Sequence, residues 1–162
     1  MNKVYLLLGG NIGDRIENIE LAKAEISRQI GTIIKESSYY ESEPWGFDDE
    51  KPFINQVILI DTELKATQLL EKNQDIEKEL GRIKKVAQYT SRNIDIDILF
   101  YERQIIFEKG LIIPHSQLHK RRFTLLPLAE IASDLVHPVF KKQISEMLEN
   151  CKDELSVSKL NS

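Results

Sequence analysis

The sequence lacks the cysteine pairs, long apolar runs and signal peptide that many proteins carry. Its fold therefore depends on an ordinary hydrophobic core. Only one of its 162 residues is a cysteine, Cys151, so an internal disulfide and a thiolate metal cluster are both excluded. Apolar runs are short, and none approaches the roughly 20 residues of a membrane-spanning helix. The apolar stretch at residues 4–8 is too brief for a signal peptide. These absences predict a cytoplasmic protein without membrane contact.

An excess of positive charge is also missing. The chain has 22 Lys and Arg against 26 Asp and Glu, which gives a formal net charge of −4. Because nucleic-acid binding by bulk electrostatics needs the opposite balance, we expect no nucleic-acid partner. An anionic ligand would need a local cluster of basic residues instead. The candidates for such a cluster are Arg82, Lys84, Lys85, Arg92, Lys120, Arg121 and Arg122.

Hydrophobic periodicity predicts an α+β fold with a ferredoxin-like β-α-β-β-α-β core and a mainly antiparallel sheet. The two core helices should end at Gly31 and Gly81. A hairpin and further helices are expected after the fourth strand. The whole chain, 1–162, should form one domain, with residues 155–162 as a frayed tail. The predicted core strands are residues 3–8, 32–40, 53–61 and 94–101.

The glycines between residues 9 and 13 match neither the dinucleotide-binding fingerprint nor a P-loop, since no Gly-Lys-Ser/Thr follows. A tight turn from strand to helix accounts for them, and we assign them no ligand. Two long predicted loops, residues 41–52 and 82–91, are stronger candidates for function, because loops of this length in a compact domain are often functional. The first of them carries the single tryptophan, Trp45.

The fourth strand carries the clearest chemical signal. Side chains alternate between the faces of a strand, so Ile94, Ile96 and Ile98 share one face while Asp95 and Asp97 share the other. The two carboxylates then lie roughly 7 Å apart at the backbone, which suits Mg²⁺ held by carboxylates and substrate phosphates. A solvated acidic strand face would give the same pattern. On this motif alone, both interpretations stay open.

Three further groups could complete a site around that strand. Arg92 and Arg121 each adjoin another chemical signal and could hold phosphate oxygens. His115 follows Pro114 and could donate a hydrogen bond to a phosphate, although a lone histidine is more often structural. The aromatic rings of Phe53 and Phe123 could stack on a flat heterocycle beside the Asn55 amide, or they could simply pack in the core. The residue types alone do not decide between these alternatives.

Taken together, the motifs make the chain resemble the 6-hydroxymethyl-7,8-dihydropterin pyrophosphokinase family of folate biosynthesis. The resemblance extends from residue 4 to about residue 138. The most specific motifs are Arg92-x-x-Asp95-x-Asp97 and Pro114-His115. The other matching motifs are Gly9-x-Asn11-x-Gly13-Asp14, Tyr40-x-Ser42-x-Pro44-x-Gly46, Phe53-x-Asn55, Gln74-x-x-Glu77, Gly81-Arg82, Arg121-x-Phe123 and Leu125-x-Pro127-Leu128.

The resemblance implies transfer of pyrophosphate from ATP to the pterin hydroxymethyl group, with AMP as the second product. It implies two Mg²⁺ ions as cofactors, bound by Asp95 and Asp97. The implied catalytic residues are Arg82, Arg92, Asp95 and Asp97. The implied ATP-binding residues are Gln74, Glu77, Lys84, Tyr89, Arg92, Ile98, His115 and Arg121. The implied pterin-binding residues are Ser42, Pro44, Trp45, Phe53, Asn55, Asp95 and Phe123.

The chain departs from the family pattern at four positions. Phe53 stands where the family often has tyrosine, Tyr89 replaces a common tryptophan, Lys84 a frequent arginine, and Gly110 an arginine of some members. We expect a monomer that takes ATP and the pterin. A different metal-dependent phosphoryl or nucleotidyl transferase, or a non-catalytic ferredoxin-like module, are the alternatives.

Overall fold

A computed structural model describes residues 1–43, 51–83 and 93–160, with the backbone alone for residues 82 and 83. The described strands are β1 Asn2–Gly10, β2 Gly31–Glu36, β3 Tyr40–Ser42, β4 Phe53–Thr62, β5 Asp95–Tyr101, β6 Ile106–Glu108, β7 Leu111–Ile113 and β8 Val157–Lys159. The described α-helices are α1 Arg15–Gln29, α2 Ala66–Ile83, α3 Arg122–Ala132 and α4 Ile144–Glu149. None of these helices is both long and apolar enough to cross a membrane.

The main sheet has the order β5-β1-β4-β3-β8, and β2 also pairs with β4. Every described pairing in it is antiparallel. The ten-residue β4 is long enough to pair with β3 near its start and with β2 near its end. Strands β6 and β7 form the separate hairpin. The predicted ferredoxin-like α+β architecture is confirmed.

Both faces of the sheet are covered, and they carry different helices. On one face Ile96 and Ile98 of β5, with Ile94 just before the strand, join the larger core cluster with residues of α1 and α2. On the other face Leu7 and Leu99 pack with residues of α3 and α4. Asp95 and Asp97 point to this second face, as the alternation predicts. The helices of the predicted extension therefore form one wall of any site built on the carboxylates.

A β-bulge lies just beyond the two carboxylates. In the pairing of β1 with β5, Tyr5 is opposite Phe100 while Leu6 is opposite Ile98, so Leu99 is an extra residue in β5. Bulges bend a strand and redirect its side chains. As a result both Leu99 and Phe100 belong to the cluster under α3 and α4. The bulge thus anchors the end of the acidic strand against the helices that follow it.

Three predicted segment ends are wrong. The strand expected at residues 32–40 is two strands, because Ser37 enters the hydrogen bonding with β4: its hydroxyl accepts from the Val57 N–H at 3.0 Å. Helix α2 continues through Gly81 to Ile83, since a helix tolerates an exposed glycine at a cost of about 1 kcal/mol. The frayed tail is contradicted at Val157–Lys159, which pairs with β3 as an edge strand.

The loop between α3 and α4 is held by a buried histidine. The Nδ1 atom of His137 accepts the N–H groups of Val139 and Phe140 at 3.1 and 3.2 Å. Its ring lies 5.5 Å from that of Phe100. Burial, aided by the nearby His119, lowers the pKa of His137 to about 4. The neutral imidazole is therefore the form that stabilises this layer.

We expect the free energy of unfolding to fall as the pH drops from about 6.5 to 4. The unfolded chain takes up a proton on His137 near pH 6.5, whereas the folded chain does so only near pH 4. The loss should reach up to about 3 kcal/mol. Urea denaturation across this range measures it, with His137→Asn as the control, because Asn keeps an acceptor but does not titrate. Parallel curves for the two proteins would contradict the assignment.

Candidate active site

The strand register brings four residues into one row across the sheet. Asp95 of β5 is opposite Gly9 of β1, and Gly9 is opposite Asn55 of β4. On its other side Asn55 is opposite Tyr40 of β3. Directly opposed residues of antiparallel strands project from the same face. The sheet therefore places the first carboxylate and the amide on either side of a glycine.

Gly9 leaves the space that the Asn55 side chain occupies. A Cβ atom at Gly9 would lie 1.9 Å from Asn55 Oδ1 and 2.9 Å from Asn55 Cγ. At Gly10 a Cβ would lie 2.4 Å from the Asn93 carbonyl oxygen. Both glycines belong to β1, so the interpretation of this stretch as only a tight turn is wrong. These glycines permit close approach by the neighbouring chain, and Gly9 is a site residue that the sequence analysis missed.

Of two cavities that the described residues form, the larger, about 510 Å³, opens beside this row. Five predicted pterin-binding residues from four elements line it: Ser42 of β3, Phe53 and Asn55 of β4, Asp95 of β5 and Phe123 of α3. Asn55 is only 5% exposed. Within the described ranges its amide makes no hydrogen bond to another residue, and its polar edge remains available to a ligand. The full set of lining residues is Leu7, Gly9, Ser42, Glu43, Phe53, Asn55, Asp95, Asp97, Gln117, Lys120, Arg121 and Phe123.

Two adjacent arginines of the predicted basic cluster point in different directions. Arg121 lines the larger cavity, and its Cζ lies 5.6 Å from the centroid of the Phe123 ring. A guanidinium over an aromatic ring is held in place while it keeps its charge for a ligand. The guanidinium of Arg122 instead donates to the carbonyl oxygens of Cys151 and Asp153. Of the two arginines, only Arg121 lines the cavity.

A second, smaller cavity of about 260 Å³ lies on the other side of Asp97. It contains two predicted ATP-binding residues, Ile98 and His115, and apolar residues of α2 and β7. Asp97 lines both cavities. The second carboxylate thus lies at the boundary between two ligand-sized spaces. The residues that line the smaller cavity are Leu70, Ile96, Asp97, Ile98, Gly110, Leu111, Ile112, His115 and Ser116.

His115 is prepared to donate a hydrogen bond into the smaller cavity. Its Nδ1 accepts the N–H of Gln117 at 3.1 Å, which places the proton of the neutral ring on Nε2. Burial lowers the pKa of His115, and the charge of Arg121 lowers it further. The ring is therefore neutral near pH 7. It is a hydrogen-bond donor beside the cationic Arg121, which suits contact with an anionic group.

The two predicted ATP-binding residues of α2 are placed differently. Glu77 Oε2 accepts the N–H of Ile96 at 2.7 Å, so this side chain ties α2 to the strand between the two carboxylates. Gln74 lies on the exposed side of α2 and lines neither cavity in the structure as described. The remaining predicted site residues lie outside the described residues, which for Arg82 means its side chain. They are Pro44, Trp45, Arg82, Lys84, Tyr89 and Arg92.

Asp95 and Asp97 are the described candidate ligands for the Mg²⁺ that the sequence predicts. Among the described residues, no group of three His, Cys, Asp or Glu side chains is arranged to enclose a metal ion. Asp95 and Asp97 share one face of β5 and line the larger cavity together. Two carboxylates facing an open cavity suit Mg²⁺, which is usually held by one or two carboxylates plus substrate phosphates. The residues present therefore fit Mg²⁺ bound with a phosphate ligand.

The fold and the two cavities define a ferredoxin-like α+β protein that can hold two small ligands on either side of an acidic strand. A family model described as 7,8-dihydro-6-hydroxymethylpterin-pyrophosphokinase (HPPK) matches residues 5–133. The chain belongs to this family, and the resemblance seen in the motifs is confirmed.

Relatives of similar length support this assignment. The chain is 42% identical to a 2-amino-4-hydroxy-6-hydroxymethyldihydropteridine pyrophosphokinase of Aquifex aeolicus, over 90% of each chain. It is 38% identical to the protein of the same name from Haemophilus influenzae, over 99% of each chain. It is also 45% identical to the folic acid synthesis protein fol1 of Pneumocystis carinii, but it spans only 20% of that protein.

Solved structures agree on the fold. The HPPK-DHPS triple mutant of Plasmodium falciparum superposes with a TM-score of 0.75 at 20% sequence identity. The match covers 92% of this chain and 43% of that one. At this identity the likeness shows the shared fold alone.

Proposed function

We propose that the protein catalyses Mg²⁺-dependent transfer of pyrophosphate from ATP to 6-hydroxymethyl-7,8-dihydropterin, giving the pterin diphosphate and AMP. The observation that carries this proposal is the position of Asp97, which lines both cavities. Two substrates bound in the two cavities would bring their reacting ends together at this carboxylate. Membership of the pyrophosphokinase family supports the choice of substrates.

The larger cavity suits the pterin. Phe53 and Phe123 line it with Asn55, and a flat heterocycle stacks favourably on aromatic rings. The Asn55 amide offers both donors and an acceptor, as recognition of a pterin edge requires. At about 510 Å³ the cavity is within the size range of small-molecule sites. Asp97 lines the same cavity, so the hydroxymethyl group of a bound pterin would lie near this carboxylate.

The smaller cavity suits the nucleotide. Leu70, Ile98 and Leu111 form apolar walls against which an adenine base can lie. His115 and Ser116 add polar groups to the same cavity, and Arg121 lies close enough to His115 to affect its pKa. A neutral donor and a guanidinium are groups that bind phosphate oxygens. The triphosphate would then extend from this cavity toward Asp97.

The reaction forms a bond between the hydroxymethyl oxygen and the β-phosphorus of ATP. The bond from that phosphorus to the oxygen bridging the α-phosphorus breaks, and this oxygen leaves on AMP, while the hydroxyl proton passes to solvent. Asp95 and Asp97 would hold the Mg²⁺ ions, which supply charge neutralisation and a lowered hydroxyl pKa when bound. Arg121 adds positive charge beside the phosphates, and His115 donates a hydrogen bond to them. The two cavities orient the hydroxyl and the triphosphate for this displacement.

Product analysis tests the proposal. The purified protein, the pterin alcohol, ATP and Mg²⁺ are incubated together, and nucleotides are separated by chromatography. We expect AMP and the pterin diphosphate in equal amounts, and none of either product without Mg²⁺ or without the pterin. Formation of ADP, or of free pyrophosphate with AMP, would identify a different phosphoryl or nucleotidyl transferase.

Replacing Asn55 by alanine should weaken pterin binding about tenfold to a hundredfold, because one or two hydrogen bonds are lost. Affinity for a non-hydrolysable ATP analogue should change by less than about twofold, since the amide does not line the smaller cavity. Calorimetry measures both. The matched control is Asn2→Ala, which removes an amide paired with Thr62 at the far end of the sheet. Equal losses for the two ligands would contradict the role of Asn55.

A further inference from the structure

Residues 151–160, called the 151–160 segment below, contact α3 beside the larger cavity. The N–H of Arg122 donates to Asp153 Oδ2 at 3.0 Å, and its Nη2 donates to the Cys151 carbonyl oxygen at 3.2 Å. Its Nη1 donates to the Asp153 carbonyl oxygen as well. Arg122 stands between Arg121 and Phe123, which both line the cavity. The segment therefore holds the cavity wall that α3 provides.

The same segment also holds the part of the cavity wall that β3 provides. Strand β8 pairs with β3, so that Ser42 is opposite Val157. Beyond this pair the N–H of Glu43 donates to the Ser156 carbonyl oxygen at 3.3 Å. Ser42 and Glu43 both line the larger cavity. Without β8, the three-residue β3 would itself be an edge of the sheet with unpaired backbone groups.

Asp153 links the two contacts. Its Oδ2 accepts from Arg122, and its Oδ1 accepts the N–H of Leu155 at 3.0 Å. One carboxylate thus fixes the position of α3 and the turn that leads into β8. The segment lies beyond residue 133, where the family match ends.

We propose that the 151–160 segment is a positioning element of the pterin cavity and that Asp153 is its central residue. It sets the separation between the wall that carries Phe123 and the wall that carries Ser42. This inference rests on the proposed function, since it takes the larger cavity as the pterin site. Neither Asp153 nor β8 touches the smaller cavity. Loosening the segment should therefore affect the pterin and leave the nucleotide unaffected.

Two variants loosen the segment at opposite ends. Asp153→Asn replaces one carboxylate oxygen by an amide nitrogen, so one of its two N–H partners loses its acceptor. Ser158→Pro removes a backbone donor from the pairing with β3. Hydrogen-bonded pairs alternate in antiparallel strands, and the bonds of Glu43 with Ser156 and of Leu160 with Tyr39 place Ser158 in such a pair. The two variants share no side chain, so the test does not depend on either one alone.

Matched controls exist for both variants. Glu154→Gln neutralises the exposed neighbour of Asp153. Lys159→Pro places proline at the next position of β8, where the backbone N–H points away from β3. Lys159→Ala corrects for the charge that this variant removes. Each control has the chemistry of its variant but leaves the contacts with α3 and β3 in place.

The experiment measures the dissociation constants of the pterin and of a non-hydrolysable ATP analogue, together with thermal unfolding. We expect Asp153→Asn and Ser158→Pro to raise the dissociation constant of the pterin about tenfold, which is the effect of one lost hydrogen bond. The ATP-analogue constant should change by less than about twofold, and the controls should match the wild type. Unchanged pterin binding in both variants, or equal losses for the two ligands, would overturn the inference.

The wild-type protein separates this inference from the proposed function. If it binds the pterin and forms AMP while both variants behave like their controls, only the positioning role is rejected. If the wild type neither binds the pterin nor forms AMP, the proposed function fails and the positioning role fails with it.

Discussion

Replacing Asp97 by alanine should lower the turnover number about a thousandfold, equivalent to roughly 4 kcal/mol of lost transition-state stabilisation. Asp97 is the carboxylate that lines both cavities. Under the proposed function, its loss would remove a Mg²⁺ ligand from the place where the two substrates would meet. Steady-state kinetics with AMP detection, at saturating ATP and pterin, measures the effect. The unfolding transition should change little, because the side chain faces a cavity rather than the core.

The matched control is Asp61→Ala. Asp61 lies on β4 and pairs with Lys3 at 2.8 Å on the surface, at the opposite end of the sheet from the cavities. An exposed ion pair of this kind contributes little to stability, so the turnover number of Asp61→Ala should equal that of the wild type. Near-wild-type turnover of Asp97→Ala at saturating Mg²⁺ would contradict the metal assignment. An equal loss in both variants would indicate a general effect on folding.

Local patterns predict the acidic strand well. The alternation of Ile94, Ile96 and Ile98 with Asp95 and Asp97 depends only on the two-residue period of a strand, and the structure confirms both faces. The order of the core elements follows similarly from periodicity. The residue types single out Phe53 and Asn55 of one strand and the distant Phe123, and the likeness in motifs implies that all three bind the pterin. The structure brings these three side chains to one cavity.

Non-local features could not be predicted in this way. The row of Asp95, Gly9 and Asn55 depends on the register of three strands, which no single segment specifies. The end of β2 depends on a hydrogen bond between Ser37 and β4. The 151–160 segment is held in place because Arg122 of α3 donates hydrogen bonds to its carbonyl oxygens at Cys151 and Asp153. Each of these results from tertiary contacts that override the local signal.

Replacing Gly9 by alanine should reduce pterin affinity about a hundredfold while it leaves the protein folded. The new Cβ would lie 1.9 Å from Asn55 Oδ1, so the amide must leave the position from which it faces the cavity. The next backbone atom, the Ile54 carbonyl oxygen, is 3.0 Å away. Because the main clash is with a side chain that can rotate, overpacking should cost only about 1–3 kcal/mol of stability.

Gly31→Ala is the matched control, because it should lose stability but keep its affinity for the pterin. A Cβ at Gly31 would lie 1.9 Å from the carbonyl oxygen of Asp61, a backbone atom that cannot rotate away. This site is at the far end of β4 from Asn55. Gly31→Ala should therefore lose more stability than Gly9→Ala and keep its pterin affinity. Chemical denaturation and pterin calorimetry on the two variants should rank them in opposite orders.

The double variant Gly9→Ala with Asn55→Ala completes the test. If alanine at position 9 acts by displacing the amide, removing the amide first leaves it nothing further to displace. Pterin affinity of the double variant should then equal that of Asn55→Ala, and part of the stability lost in Gly9→Ala should return. If the losses of pterin affinity in the two single variants instead add in full in the double variant, Gly9 acts on the cavity by a route other than Asn55.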